Sequence, residues 1–242
     1  MNDFKNNSIK NYNMLFPEIN LDRLSKAQKI GTILSKFISD LNNKNVLDLG
    51  CSNGIITCYL SLFVKNIHGI DMDISGIKGI KTPQNCTFTQ SDILSLPIKD
   101  NSIDIIICNH VYHWVEFHEL FISEIDRVLK PNGYIYFAGP TRFTIIGENN
   151  VYLAPILAPK LRNGWIKLWK SKKQYKLNYL FSNQIIKLFK EYEVIPLFPY
   201  FVGLKFNSAK ILFKLINKLN IISPTAVFLF KKKDLKNEKY NN

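Results

Sequence analysis

The sequence predicts an α/β chain folded around a doubly wound, mainly parallel sheet with helices on both faces. Three observations predict it. Apolar strand-like runs alternate with helical segments over residues 45–138, the first run enters a glycine turn, and the second run ends on a carboxylate.

Each element follows from local pattern. Residues 21–41 place Leu24, Ile30, Ile33, Leu34, Phe37 and Ile38 at helical spacing, interrupted by Gly31, and Asn42-Asn43-Lys44 breaks the run. Asn45-Val46-Leu47-Asp48-Leu49 is short and apolar and reads as a buried parallel strand. Residues 55–63 read as a helix, and 66–71, 86–90 and 103–108 as the second, third and fourth strands. Residues 115–130 are an amphipathic helix that Pro131-Asn132-Gly133 brings to a stop, with the fifth strand at 134–138. A further helix is expected at 183–192 and a late strand at 225–230. The chain divides into an N-terminal helical extension (1–44), a core (45–140), a cap with the last strands of the same domain (141–230), and a basic tail (231–242). The 242 residues, 46% of them hydrophobic, suffice for one such domain.

Charge is unevenly spread. The total is +13, yet residues 1–159 carry 14 Lys and Arg against 15 Asp and Glu, while residues 160–242 carry 18 against 4. That asymmetry suits an anionic partner, substrate or membrane surface for the last third. Within it, residues 209–219 set Lys210, Lys214 and Lys218 along one face of an amphipathic helix, suited to a cap over an acceptor site or to a membrane interface. No stretch approaches the run of about 20 apolar residues that spans a bilayer. Residues 1–10 are polar and lack a secretion signal's apolar region, so a cytoplasmic location is expected, peripheral at a membrane if the basic third docks there. Cys51, Cys58, Cys86 and Cys108 form no C-x-x-C pair and read as reduced thiols, with Cys51 and Cys108 near the ligand.

The glycine turn, Asp48-Leu49-Gly50-Cys51-Ser52-Asn53-Gly54, lies between strand and helix, where the chain must pass close to a ligand. A P-loop is excluded because no Gly-Lys dipeptide exists in the chain. A nicotinamide dinucleotide turn would need glycine where Ser52 and Ile55 stand. Asp71, 21 positions after Gly50, ends the second strand beside the turn, where a carboxylate can accept from ribose hydroxyls. The residues therefore point to a nucleoside ligand, with the following helix N-terminus suited to an anionic group and the Ser52 hydroxyl available to cap it.

The arrangement D-x-G-x-S-x-G resembles the first motif of class I, Rossmann-like S-adenosylmethionine-dependent methyltransferases, with Ser52 in place of the middle glycine. Gln90-Ser91-Asp92-Ile93 resembles that family's adenine-binding motif, and Arg127-Val128-Leu129-Lys130-Pro131-Asn132-Gly133 its structural turn into the fifth strand. The resemblance covers residues 45–138 and is closest to the branch acting on small molecules, quinones and lipids. It implies a seven-stranded sheet, S-adenosylmethionine as cofactor, a C-terminal helical cap before the last strands, and a cofactor site of Asp48, Gly50, Cys51, Ser52, Gly54, Asp71, Met72, Asp92, Ile93 and Asn109. Asp92 and Ile93 would hold adenine.

Chemistry is expected beyond the carboxyl end of the fourth strand, at Asn109-His110-Val111-Tyr112-His113-Trp114. Methyl transfer from a sulfonium is mainly a matter of positioning, and a base is required only for an acceptor that must lose a proton. His110 and His113 carry side chains that titrate near 6.5 when unperturbed, and Tyr112 can orient an acceptor. The same side chains can also simply pack the start of a helix. His110, His113 and His118 have no well-placed carboxylate or cysteine partner, so no metal is expected. His110 and Val111 stand where base-amine methyltransferases carry two prolines, which disfavours nucleic acid as substrate. The expected activity is O- or C-methylation of a small or lipid-linked acceptor, anionic or presented at a membrane. The alternatives are an RNA methyltransferase using the basic third, or an inactive nucleoside-binding protein.

Overall fold

The structure, a computed structural model, describes residues 21–77, 82–144, 161, 177–197 and 225–234. In chain order these hold α1 (Leu21–Phe37), β1 (Asn45–Leu49), α2 (Ile55–Leu60), β2 (Asn66–Asp71), β3 (Cys86–Gln90), β4 (Ile103–Asn109), α3 (His118–Val128), β5 (Leu129–Pro140), α4 (Ser182–Leu188), β6 (Tyr192–Pro196) and β7 (Thr225–Lys232). The strands form a seven-stranded sheet of order β3-β2-β1-β4-β5-β7-β6. β1 pairs β2 and β2 pairs β3 in parallel, while β6 pairs β7 antiparallel. This is the doubly wound, mostly parallel architecture that the alternating pattern predicts. Most of the basic last third, with the helix expected at 209–219, lies outside the described residues, as do the first 20 residues and the end of the tail.

By packing, the chain falls into two compact units. The first holds the residues up to Ile107 together with Glu124–Tyr136. Its core is the strand interior, where Leu47, Leu49, Ile70, Ile105, Ile106 and Ile107 are fully buried. Buried parallel strands read as continuous apolar runs for this reason. α1 packs on α2, and Gly31 lies at that crossing beside Leu60 and Tyr59 rather than breaking the helix. Polar ties fix the edges. Asp104 Oδ2 accepts from the backbone N–H of Asn45 at 2.9 Å, and Oδ1 from Lys130 Nζ at 2.9 Å. The Arg127 guanidinium grips the carbonyls of Leu96 and Ile98 and the carboxylates of Asp100 and Glu124. The motif containing Arg127 is thus structural, as the sequence indicates.

The second unit holds Cys108–Ser123 and the chain from Phe137 onward. Its described core is aromatic: Phe189 stacks on Phe230 at 4.1 Å, and Phe137 meets Phe189 edge-on at 5.7 Å.

Several element ends differ from expectation, each for a local reason. α2 stops at Leu60 instead of 63 because the Leu62 and Phe63 N–H groups donate to the carbonyls of Tyr59 and Leu60, three residues back, and tighten the turn; Asn85 Nδ2 then takes the carbonyls of Ser61 and Val64. α3 begins at His118 rather than 115, since Val115 is extended and its carbonyl accepts from Asn178 Nδ2. It ends at Val128, where the carbonyls of Arg127 and Val128 accept from Asn101 and Ser102. Pro131-Asn132-Gly133 then falls inside β5, with Asn132 at φ 61° supplying the turn. α4 ends at Leu188, and Tyr192 instead opens β6, an unforeseen strand whose register pairs it with Lys232.

One packing feature shapes the floor of the glycine turn. Gly69 lies opposite Phe88 in the parallel register, and a Cβ on Gly69 would sit 2.6 Å from the Phe88 ring. A Cβ on Gly54 would meet the same ring at 2.9 Å. The Phe88 ring therefore occupies space that both glycines leave open. Gly69→Ala is expected to destabilise the protein by about 1–3 kcal/mol through overpacking, and Phe88→Leu in the same chain to recover part of that loss. Denaturant midpoints of the two single variants and the double variant check this; strictly additive losses would contradict it.

Candidate functional site

The glycine turn and the end of β2 are joined by backbone hydrogen bonds within the first unit. The N–H groups of Gly50 and Cys51 both donate to the Ile70 carbonyl, at 2.8 and 3.1 Å. The Ser52 N–H donates to Asp71 Oδ2 at 2.8 Å, and the Gly54 N–H to the Cys51 carbonyl at 2.9 Å. Gly50, Ser52 and Gly54 adopt φ of 70°, 52° and 72°. Ser52 holds this left-handed conformation although it is not glycine, and a side chain there costs roughly 1–2 kcal/mol. Its expected capping role is not what the structure shows: Gly54 is the N-cap of α2 and no side chain caps the helix. With six residues, α2 also gives little support to the anion-binding role expected of its N-terminus. Four N–H groups of the turn are used internally, so it is not a phosphate cradle. That agrees with a nucleoside and disagrees with a dinucleotide.

Asp71 sits half-buried at the centre. Each carboxylate oxygen takes one backbone N–H, Oδ2 from Ser52 and Oδ1 from Asp73 at 3.0 Å, leaving each with acceptor capacity for a hydroxyl. Its carbonyl accepts from the Ser91 N–H at 3.0 Å, which ties the end of β3 to the end of β2. Asp92 follows in the exposed turn, its Oδ1 accepting from the Leu94 N–H at 2.9 Å, with Ile93 half-buried beside it. Met72 is exposed next to Asp71.

Asp48 behaves differently from the other carboxylates. It is buried and accepts from the Thr57 hydroxyl at 2.6 Å. Burial pushes its pKa up to about 7; the Thr57 hydrogen bond and the charge of Arg23 oppose that rise, and Asp71 adds to it. Cys51 is buried under the turn and its thiol is pushed well above the usual range by burial. Cys58 and Cys86 are also buried, their sulfurs 3.7 Å apart, and none of the four cysteines forms a disulfide.

Asn53 was not among the residues singled out from sequence. Its Oδ1 is shut off from solvent and accepts no hydrogen bond among the described residues. The orphaned acceptor and the open lone pairs of Asp71 together fit an adenosyl group bearing hydroxyl and amino donors.

The second unit gathers the remaining expected site residues. Asn109 is half-buried at the end of β4, and Cys108 is buried before it. His110 is exposed at φ 60°, held there by its N–H donating to the Ala138 carbonyl at 2.7 Å. A bulky exposed residue in that region is strained, and such strain gathers at functional sites. Tyr112 is buried, its hydroxyl donating to the Pro140 carbonyl and accepting from the Leu180 N–H at 3.4 Å; burial raises its pKa further. His113 is completely buried, stacked on Tyr179 at 5.6 Å and edge-on to His110 at 6.3 Å. Asn178 clamps this segment, its N–H donating to the His113 carbonyl at 2.8 Å. His118 Nε2 lies 3.1 Å from the Tyr112 carbonyl, and burial lowers its pKa.

Comparison with known proteins agrees with this geometry. Residues 47–137 match the methyltransferase domain family. A probable phthiotriol/phenolphthiotriol dimycocerosates methyltransferase of Mycobacterium ulcerans is 31% identical over 121 residues, 48% of this chain and 47% of that one. A fatty-acid O-methyltransferase of Mycolicibacterium smegmatis is 29% identical over 41% of this chain and 38% of that one. The chain thus matches about half or less of the length of these relatives. The crystal structure of an S-adenosylmethionine-dependent methyltransferase from Mesorhizobium loti has the same fold, with a TM-score of 0.59 and 14% identity over 83% of this chain and 96% of that one. The fold is thus the one seen in Rossmann-like, S-adenosylmethionine-dependent methyltransferases. It is the segment 47–137, which holds the glycine turn and Asp71, that is similar to the methyltransferase domain family.

The buried carboxyl of Asp48 makes stability depend on pH. It ionises near 3.9 when unfolded and near 7 when folded, so its share of stability is full below about pH 4 and is lost as pH rises towards 7. Asp48→Asn keeps an acceptor for Thr57 and removes the charge. The variant should gain on the parent protein between pH 4 and pH 8 by about 2–4 kcal/mol. Thermal denaturation across that range checks it, and a constant gap would show that Asp48 stays ionised throughout.

Proposed function

We propose that the chain transfers the methyl group of S-adenosylmethionine to a hydroxyl or acidic carbon of a small or lipid-linked acceptor, anionic or presented at a membrane. One observation carries this reading above the others. The Asp71 carboxylate is aimed by the Ser52 and Asp73 N–H groups and keeps one lone pair on each oxygen for a pair of hydroxyls. The names of the relatives, which specify a fatty acid and dimycocerosates, support a lipid-type acceptor.

In this reading Asp71 accepts from the ribose hydroxyls, Asp92 and Ile93 hold adenine, and Gly50 to Gly54 let the chain approach the nucleoside, with Asn53 Oδ1 meeting a donor. Met72 borders the same ligand. When bound, the cofactor supplies an electrophilic methyl group on a sulfonium. His110 takes the acceptor's proton: it is exposed, titratable, and fixed by its backbone bond to Ala138. Tyr112 and His113 act as its support. The Tyr112 hydroxyl is engaged with Pro140 and Leu180, and the His113 ring is enclosed against Tyr179. The protein would work in the cytoplasm, peripherally at a membrane when its acceptor is embedded there.

Asp71→Ala should weaken binding of S-adenosylhomocysteine by about 1–3 kcal/mol in calorimetry, through lost hydroxyl bonds; unchanged affinity would move the ribose elsewhere. With a labelled methyl donor and a panel of fatty acids, phenols and quinols, with and without anionic vesicles, the parent protein should label at least one acceptor. On that acceptor His110→Ala should lower kcat by roughly 10²–10⁴-fold while leaving cofactor affinity unchanged. Equal losses in both would make His110 a pocket residue and not a base.

A further inference from the structure

We infer that Trp114, Phe117 and Leu120 form the landing surface for the hydrocarbon chain of the acceptor, an inference that rests on the reading of the chain as a methyltransferase of lipid-linked substrates. Among the described residues, the large apolar side chains standing in solvent are Leu21, Met72, Trp114, Phe117, Leu120 and Leu161, and three of them fall within seven consecutive positions. Their exposures are 41%, 54% and 56%. Isolated exposed apolar residues need no explanation, but a cluster does.

The surface is built and not frayed. Phe117 stands at the N-cap of α3, its carbonyl accepting from the Phe121 N–H at 3.1 Å, and Leu120 follows three residues on in the first turn. The Trp114 N–H donates to the Val111 carbonyl at 2.9 Å, and the next carbonyl, of Val115, is held by Asn178. The patch begins four residues after His110 in the same compact unit, so a reacting head group and its chain can belong to one molecule.

Charge selects the occupant. The protein carries +13 overall, yet residues 101–126 contain no Lys or Arg, and two of their five carboxylates, Asp104 and Glu124, are paired with Lys130 and Arg127 away from the patch. Glu116 and Glu119 are exposed within the apolar stretch itself. Phosphates of RNA or of an anionic bilayer would be repelled there, whereas an uncharged hydrocarbon chain would not.

The test is calorimetric titration of the full chain with uncharged monoacylglycerols from butanoyl to lauroyl. The parent protein should bind more tightly as the chain lengthens, by up to roughly fourfold per buried methylene. The variant Trp114→Gln/Phe117→Gln/Leu120→Gln should lose that dependence and bind the lauroyl probe at least about tenfold more weakly, with S-adenosylhomocysteine affinity unchanged as the control for folding. Should the triple variant lose the control, Leu120→Lys alone reads the same effect in smaller size. A variant that keeps the full chain-length dependence with its control intact overturns the patch and leaves the lipid reading standing. A parent protein indifferent to chain length, yet methylating a short polar acceptor, overturns both.

Discussion

The candidate site depends on a short set of hydrogen bonds that tie the glycine turn to the end of β2. The Ile70 carbonyl takes two N–H groups from the turn, and the adjacent Asp71 carboxylate takes a third. Because these bonds consume the backbone donors of residues 50, 51 and 52, the turn cannot act as an anion cradle. What it offers is close approach and an aimed carboxylate. The Phe88 ring fills the space beneath Gly54 and Gly69, so the position of the turn is set by packing as well as by hydrogen bonds. Ser52 endures a left-handed backbone as part of the same arrangement, and the structure supplies its compensation in the bond to Asp71.

Buried polar groups are treated in two ways. Asp48 is desolvated and holds its proton near neutrality, which makes it a part of the core with one satisfied partner. Asp71 is half-buried and holds two backbone donors while keeping acceptor capacity. Two neighbouring carboxylates thus divide by environment alone into a desolvated group and one that keeps acceptor capacity. In the second unit the same division separates the two histidines: His113 is enclosed by aromatic rings and His110 stands exposed on a strained backbone.

Much of the fold was legible in the sequence because parallel strands buried on both faces must be short apolar runs. β1 falls at its expected residues for that reason, while β2 and β3 also fall where expected although β3 is a partly exposed edge strand. Helix ends were less legible, since they are set by hydrogen bonds that no local pattern shows: tightened backbone bonds close α2, and Asn178 delays α3. β6 was missed because Tyr-Glu-Val-Ile-Pro is short, ends in proline and gains strand character only from β7. In the site, Asp71 and the glycines could be read from spacing and from family resemblance. The burial of His113, the engagement of the Tyr112 hydroxyl and the orphaned Asn53 oxygen are products of tertiary packing, and no local pattern announces them.

The account stands or falls on where the nucleoside lies, and a crystal structure with S-adenosylhomocysteine measures that directly. The predicted result is a ribose with both hydroxyls on Asp71, its sulfur-bearing chain along residues 50–54, and adenine beside Asp92. A nucleoside bound elsewhere, with the Asp71 oxygens contacting only Ser52 and Asp73, would contradict it.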